Sequence, residues 1–150
     1  MGQRSTLICF LVLSIASCQT KNNEEYLLGE WYNESVRVDI DALDGQIDSV
    51  FSVPAGKWEE ILQIKPINTT YKPDGTFESI YYNLDGSVLQ KTSGKWELKK
   101  DSLYFTEQGQ TTGYLFQWQE GKGLFEGYLD WDTDGQEDDF YSGVQIKKVD

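Results

Sequence analysis

From Tyr26 onward the chain runs in short stretches of period-two alternation between apolar and polar residues, broken by turn-forming clusters, and no long stretch carries a helical stripe. That pattern confines the fold to antiparallel β structure. Val36, Val38 and Ile40 alternate with Arg37 and Asp39, and Trp96 and Leu98 alternate with Lys95, Glu97 and Lys99, so one face of each run is apolar and the other charged. Tyr114, Phe116 and Trp118 share a face of a later run, Phe125, Gly127, Leu129 and Trp131 a face of the next, and Phe140, Ser142, Val144 and Ile146 a face of the last. Between the runs stand Pro73-Asp74-Gly75, Leu84-Asp85-Gly86, Lys100-Asp101-Ser102, Glu120-Gly121-Lys122-Gly123 and Asp132-Thr133-Asp134-Gly135, all tolerant of hairpin backbone. About eight strands at this spacing predict an all-β, up-and-down antiparallel barrel, because closure removes the unpaired edges of an open meander. The least regular stretch, Asp41 to Lys57 with Gly45, Pro54 and Gly56, is expected to be a long loop with room for a short helix.

The first residues follow a different rule. Arg4 supplies a positive head, Leu7 to Ile15 is almost wholly apolar, and the run ends too soon to span a bilayer, which is the layout of a secretory signal. Ile15-Ala16-Ser17-Cys18 resembles the lipobox of bacterial lipoproteins: an aliphatic residue, two small residues and a cysteine. The resemblance implies a signal peptide over 1–17, diacylglycerol on the Cys18 thiol, an N-acyl chain on its amine, and a membrane held through that lipid. Each buried methylene contributes about 0.8 kcal/mol, so two or three acyl chains anchor a domain stably. Residues 18–25 read as the lipidated cysteine and a polar tether, and 26–150 as the barrel domain. Gln19 directly after the cysteine fits delivery to the bacterial outer membrane under the sorting rule of enteric-type bacteria, and the acidic end of the tether resembles the export signals of lipoproteins at the cell surface.

Charge and residue counts exclude whole classes of chemistry. With 13 Lys plus Arg against 25 Asp plus Glu, the chain carries a net charge of −12, so nucleic acid and anionic lipid surfaces repel it and a cation or basic protein suits it better. Cys9 lies in the signal and Cys18 is the lipid carrier, which leaves no disulfide framework for the domain. There is no histidine, and therefore no Ser-His-Asp triad, Cys-His pair or histidine-ligated zinc. Glu24-Glu25 and Glu59-Glu60 offer paired carboxylates for glycosidic chemistry, but acids are too abundant here for pairs to carry meaning, and the chain is read as non-enzymatic.

Gly29-Glu30-Trp31 at the head of the first run resembles the glycine-any-tryptophan motif of lipocalins, and Asp74-Gly75-Thr76-Phe77, Gly94-Lys95-Trp96-Glu97-Leu98 and Asp101-Ser102-Leu103 are similar to bacterial lipocalin-like domains. The resemblance implies that Gly29 and Trp31 form the barrel plug and that the barrel binds a small apolar or amphipathic ligand. The five Trp and nine Tyr suit either a ligand cavity or an interior filled by its own rings.

One constellation suggests a metal. Asp130, Asp132, Asp134 and Asp138 stand at positions one, three, five and nine of a loop with Gly135 at six, and Gln136 offers a backbone carbonyl at seven. Calcium takes six to eight oxygens, and alternating carboxylates around a glycine turn can wrap one ion. Tyr141 replaces the bidentate glutamate of an EF-hand at position twelve, so the spacing resembles the shorter calcium loops that connect two strands, as in integrin-type repeats. The same residues also make a solvated acidic hairpin turn. The leading expectation is a membrane-anchored, ligand-binding barrel; the alternative is an acidic module, possible calcium included, that binds a basic envelope protein.

Overall fold

The computed structural model describes residues 23–41 and 49–149. The expected signal peptide over 1–17, Cys18 and Gln19 to Asn22 lie outside the described residues. A one-turn helix α1 (Asn23–Leu27) precedes the strands β1 (Gly29–Ile40), β2 (Ser49–Val53), β3 (Asn68–Tyr71), β4 (Thr76–Tyr82), β5 (Val88–Lys99), β6 (Ser102–Glu107), β7 (Gln110–Gln119), β8 (Lys122–Leu129) and β9 (Asp139–Lys147), with helix α2 (Trp58–Leu62) between β2 and β3. Helix α1 thus begins inside the stretch expected to be tether. No helix among the described residues is long and apolar enough to cross a membrane.

Strands β3 to β9 pair in sequence order, β1 pairs with β3 through Gly29 to Tyr32, and β9 returns along the other edge of β1 from Lys147↔Trp31 to Phe140↔Asp39. These eight strands close an antiparallel up-and-down barrel, as the spacing of runs and turns predicts, with no free edge at the seam. The ninth strand, β2, was not expected. It pairs with Val36 to Ile40, the half of β1 that the four-residue β3 does not reach, so part of the expected 41–57 loop is strand. Val50, Phe51 and Val53 are β-formers laid against an edge that would otherwise expose its N–H and C=O groups. The short helix lies just past that stretch, at Trp58–Leu62.

A bulge between Asn33 and Ser35 marks where β1 changes partners. One extra residue reverses which side chains point inward: Trp31 and Asn33 before it, Val36 and Val38 after it. The interior accordingly forms two apolar clusters. At the end where the chain enters, Leu27, Trp31, Tyr71, Phe77, Trp96, Leu103, Phe116 and Phe125 pack together. At the other, Val36, Val38 and Val53 pack against Trp58 of α2. Phe140, Ser142, Val144 and Ile146 do share a face, and it is the outer one: Phe140 packs on Tyr128 outside the wall, while Tyr141 and Gln145 point in.

Candidate functional site

The closed end is built on Trp31, which is 0 % exposed. Its ring meets Trp118, Phe116, Tyr71 and Phe125 edge-on at centroid distances of 5.6 to 6.5 Å, and its indole N–H donates to the carbonyl of Leu27 at 2.7 Å. Gly123 makes room for this cluster, since a β-carbon there would stand 2.9 Å from Phe116 and 3.0 Å from Phe125 and Trp31. Lys147 Nζ donates to the Tyr26 carbonyl at 2.8 Å and sits 5.7 Å over the Trp31 ring, a cation above a π-face. Gly29, paired with Tyr71, adopts φ 113°, which a side chain would strain, so the glycine and tryptophan of the motif stand together at the plugged end.

Above the plug the described residues do not fill the interior. A cavity of about 250 Å³ remains, smaller than most ligand pockets but large enough for one compact molecule. Its wall is mixed. Tyr71, Phe105, Tyr114 and Tyr141 form a continuous chain of ring contacts, tilted between the first two and edge-to-face between the others, with centroids 5.8, 5.7 and 5.5 Å apart in that order. Between the rings lie polar groups: Asn33, the Thr69 and Ser79 hydroxyls bonded to each other at 2.9 Å, and Gln145, whose Oε1 accepts from the Tyr71 hydroxyl at 3.4 Å. Burial pushes the Tyr114 hydroxyl up to about 12 and raises those of Tyr71 and Tyr141 further, so all three remain protonated donors at neutral pH. Glu107 lines the cavity at the β6–β7 turn, at the end opposite α1.

The polar side of the wall escaped the sequence. Glu107 follows Phe105 by two residues on one strand and Gln145 follows Tyr141 by four on another, so inward alternation reaches both once the inner face is known.

The acidic loop joins β8 to β9 at the same end as Glu107. Its backbone winds on its own carboxylates: Asp134 N–H donates to Asp132 Oδ1 at 3.1 Å, Gly135 N–H to Asp130 Oδ2 at 3.1 Å and Gln136 N–H to Asp134 Oδ1 at 2.8 Å, with Gly135 at φ 95°. Asp130, Asp132 and Asp139 each bring a carboxylate oxygen within 4.8 Å of the others, a triad that can hold a metal ion. Among the described residues, Asp130 Oδ1, Asp134 Oδ2 and Asp138 Oδ1 are buried without a hydrogen-bond partner. An orphaned buried oxygen is costly, and three of them in one loop fit a cation as the missing partner. Burial and the neighbouring charges of Asp134, Asp139 and Asp130 raise the Asp132 carboxyl, and burial with Asp134 and Asp41 raises that of Asp138.

The structure therefore joins Asp130 and Asp132 of the expected set to Asp139, which stood one place beyond it, and leaves Asp134 and Asp138 with free oxygens. Gln136 contributes its N–H to the loop winding. Asp139 is fully buried and also structural: its Oδ1 accepts from Asp41 N–H at 2.9 Å, its Oδ2 from Trp131 N–H at 2.6 Å and Asp132 N–H at 3.2 Å. That carboxylate ties the end of β1 to the start of the acidic loop. Its position as the first residue of β9, facing inward, is the signal that sequence counting passed over.

The closed eight-stranded barrel with its aromatic interior and tryptophan plug is consistent with the lipocalin-like fold that Gly29 and Trp31 suggest. No protein-family model and no curated protein matches the chain.

Proposed function

We propose that the protein is a non-enzymatic lipoprotein of the bacterial envelope, anchored at the outer membrane or cell surface through acyl chains on Cys18, whose lipocalin-like barrel binds a small amphipathic ligand. The observation that carries the binding half is the cavity: seven aromatic side chains and a set of hydroxyl, amide and carboxylate groups line one space. An apolar ligand would leave the Asn33 and Gln145 amides facing hydrocarbon, so ring faces for packing and polar atoms for orientation favour an amphipathic one. The anchoring half rests on the lipobox. The described chain starts at α1, under the plug, and Glu107 lies at the far end, so a tether from Cys18 would join the barrel at its plugged end. Serine at position 18 removes the acylated thiol: C18S is expected to lose incorporation of labelled palmitate while its circular dichroism and melting curve stay those of the wild-type domain, and undiminished labelling would overturn the assignment.

The acidic loop is read as a calcium site of structural purpose, formed by the carboxylates of Asp130, Asp132, Asp134, Asp138 and Asp139 with the Gln136 carbonyl as a further ligand. The donor set consists wholly of oxygen, as a hard cation requires, and the three orphaned oxygens fit such an ion. Calcium there would brace the loop that Asp139 ties to β1 and so hold β9, which carries Tyr141 and Gln145 into the cavity.

A further inference from the structure

We propose that the cavity selects a small organic cation, an ammonium or quaternary ammonium group on a compact apolar body. The inference rests on the ligand-binding reading above and adds the charge of the ligand to it.

Three observations converge. Seven of the fourteen lining residues are aromatic, and Tyr71, Phe105, Tyr114 and Tyr141 follow one another around the space in tilted and edge-to-face contact, so their rings stand at different angles to it. Ring faces attract a cation through their quadrupole, and a confined ammonium group gains most when several surround it. Next, among the described residues the only carboxylate in the lining is Glu107, and no lysine or arginine lines the cavity. Among the described residues Glu107 is in no salt bridge, so its charge is unspent. Of the partly buried lysines among the described residues, Lys147 is tied to the Tyr26 carbonyl beneath the plug and Lys65 stands beside Gly86 in the β4–β5 turn, and neither lines the cavity. Finally, the acids of the β8–β9 loop, Asp130 to Asp138, stand at the same end as Glu107, and their field draws cations toward that end and repels anions.

The wall sorts ligands by charge. A carboxylate ligand would enter beside Glu107 with no cationic partner and with its desolvation uncompensated. A neutral ligand would use the hydroxyls of Tyr71, Tyr114 and Tyr141 but gain nothing from Glu107. A cation uses both the ring faces and the carboxylate, while the hydroxyl and amide groups suit a hydroxyl elsewhere on the same molecule.

Three probes of one shape separate these cases: choline, its uncharged isostere 3,3-dimethylbutan-1-ol, and the anion 3,3-dimethylbutanoate, each titrated calorimetrically into the full protein in a non-ionic detergent. Choline is expected to bind about tenfold more tightly than the alcohol, the anion not measurably, and the choline affinity is expected to fall as salt is raised. Glu107→Gln is expected to erase most of the preference for choline over the alcohol. Equal affinities of choline and the alcohol, or a preference that survives Glu107→Gln, would overturn the cation inference and leave the ligand-binding reading standing. Binding by none of the three would also overturn it, and whether the cavity holds any molecule at all is then answered separately by the mass of the protein taken from its own membranes.

Discussion

Trp31→Ala is expected to lower the unfolding free energy by about 4 to 5 kcal/mol, a large share of the roughly 5 to 15 kcal/mol that holds a domain folded. The size follows from what the ring touches. It is wholly buried, meets four other aromatic rings edge-on, and holds the Leu27 carbonyl, so removing it opens a void and leaves that carbonyl without its donor. Collapse into the void is limited because the surrounding residues belong to a closed sheet. Denaturant unfolding followed by circular dichroism measures the loss. Trp31→Phe, which keeps a ring but not the indole donor, is expected to lose less than half as much. A loss under about 1 kcal/mol for the alanine variant would show that Trp31 is not the plug.

Calcium is expected to raise the melting temperature by roughly 5 to 10 °C over chelator at a hundredfold excess above its dissociation constant, the equivalent of about 2.7 kcal/mol. The pH dependence has a definite sign. Asp132 and Asp138 have carboxyls raised in the folded state by burial and by neighbouring carboxylates, so the folded protein binds protons more readily than the unfolded chain there. In chelator, their contribution to stability therefore grows as pH falls through the raised folded values toward the unfolded value near about 3.9. Calcium requires the deprotonated carboxylates, so the gain it brings is expected to be largest near neutral pH and to shrink over that same window. Asp130→Asn removes one charge and one orphaned oxygen, and should abolish most of the calcium gain without lowering the melting temperature in chelator. Superimposable melting curves with calcium and with chelator at neutral pH would show that the loop is only an acidic turn.

The barrel was legible because its signals are local and repeated. Val36, Val38 and Ile40 on one run, Tyr114, Phe116 and Trp118 on another, and a glycine or aspartate turn between successive runs fix strand, face and connection at once. What escaped depends on partners distant in sequence. β2 is a strand because β3 is too short to cover β1, a relation between residues 49–53 and 68–71 that no local window contains. The inner face of β9 could not be chosen from its pattern, because Phe140, Val144 and Ile146 are the more apolar set and yet face outward. The interior they vacate is given to Tyr141 and Gln145, and that choice is what makes the cavity polar. In the acidic loop, spacing placed Asp130, Asp132, Asp134 and Asp138 together, while the part played by Asp139 arises only when Asp41 and Trp131 bring their N–H groups to it. The one-residue bulge in β1 has the same character: it reverses the inward parity of a run whose alternation looks unbroken on either side.

Native mass spectrometry of the protein extracted from the membranes of its own cell reads the lipid anchor and the occupancy of the cavity in one spectrum. The expected spectrum is a chain that begins at Cys18, heavier by a diacylglyceryl group and an N-acyl chain, carrying a small non-covalent molecule that leaves on collisional activation. A chain without acyl mass, or an acylated chain that never carries an adduct, would contradict it.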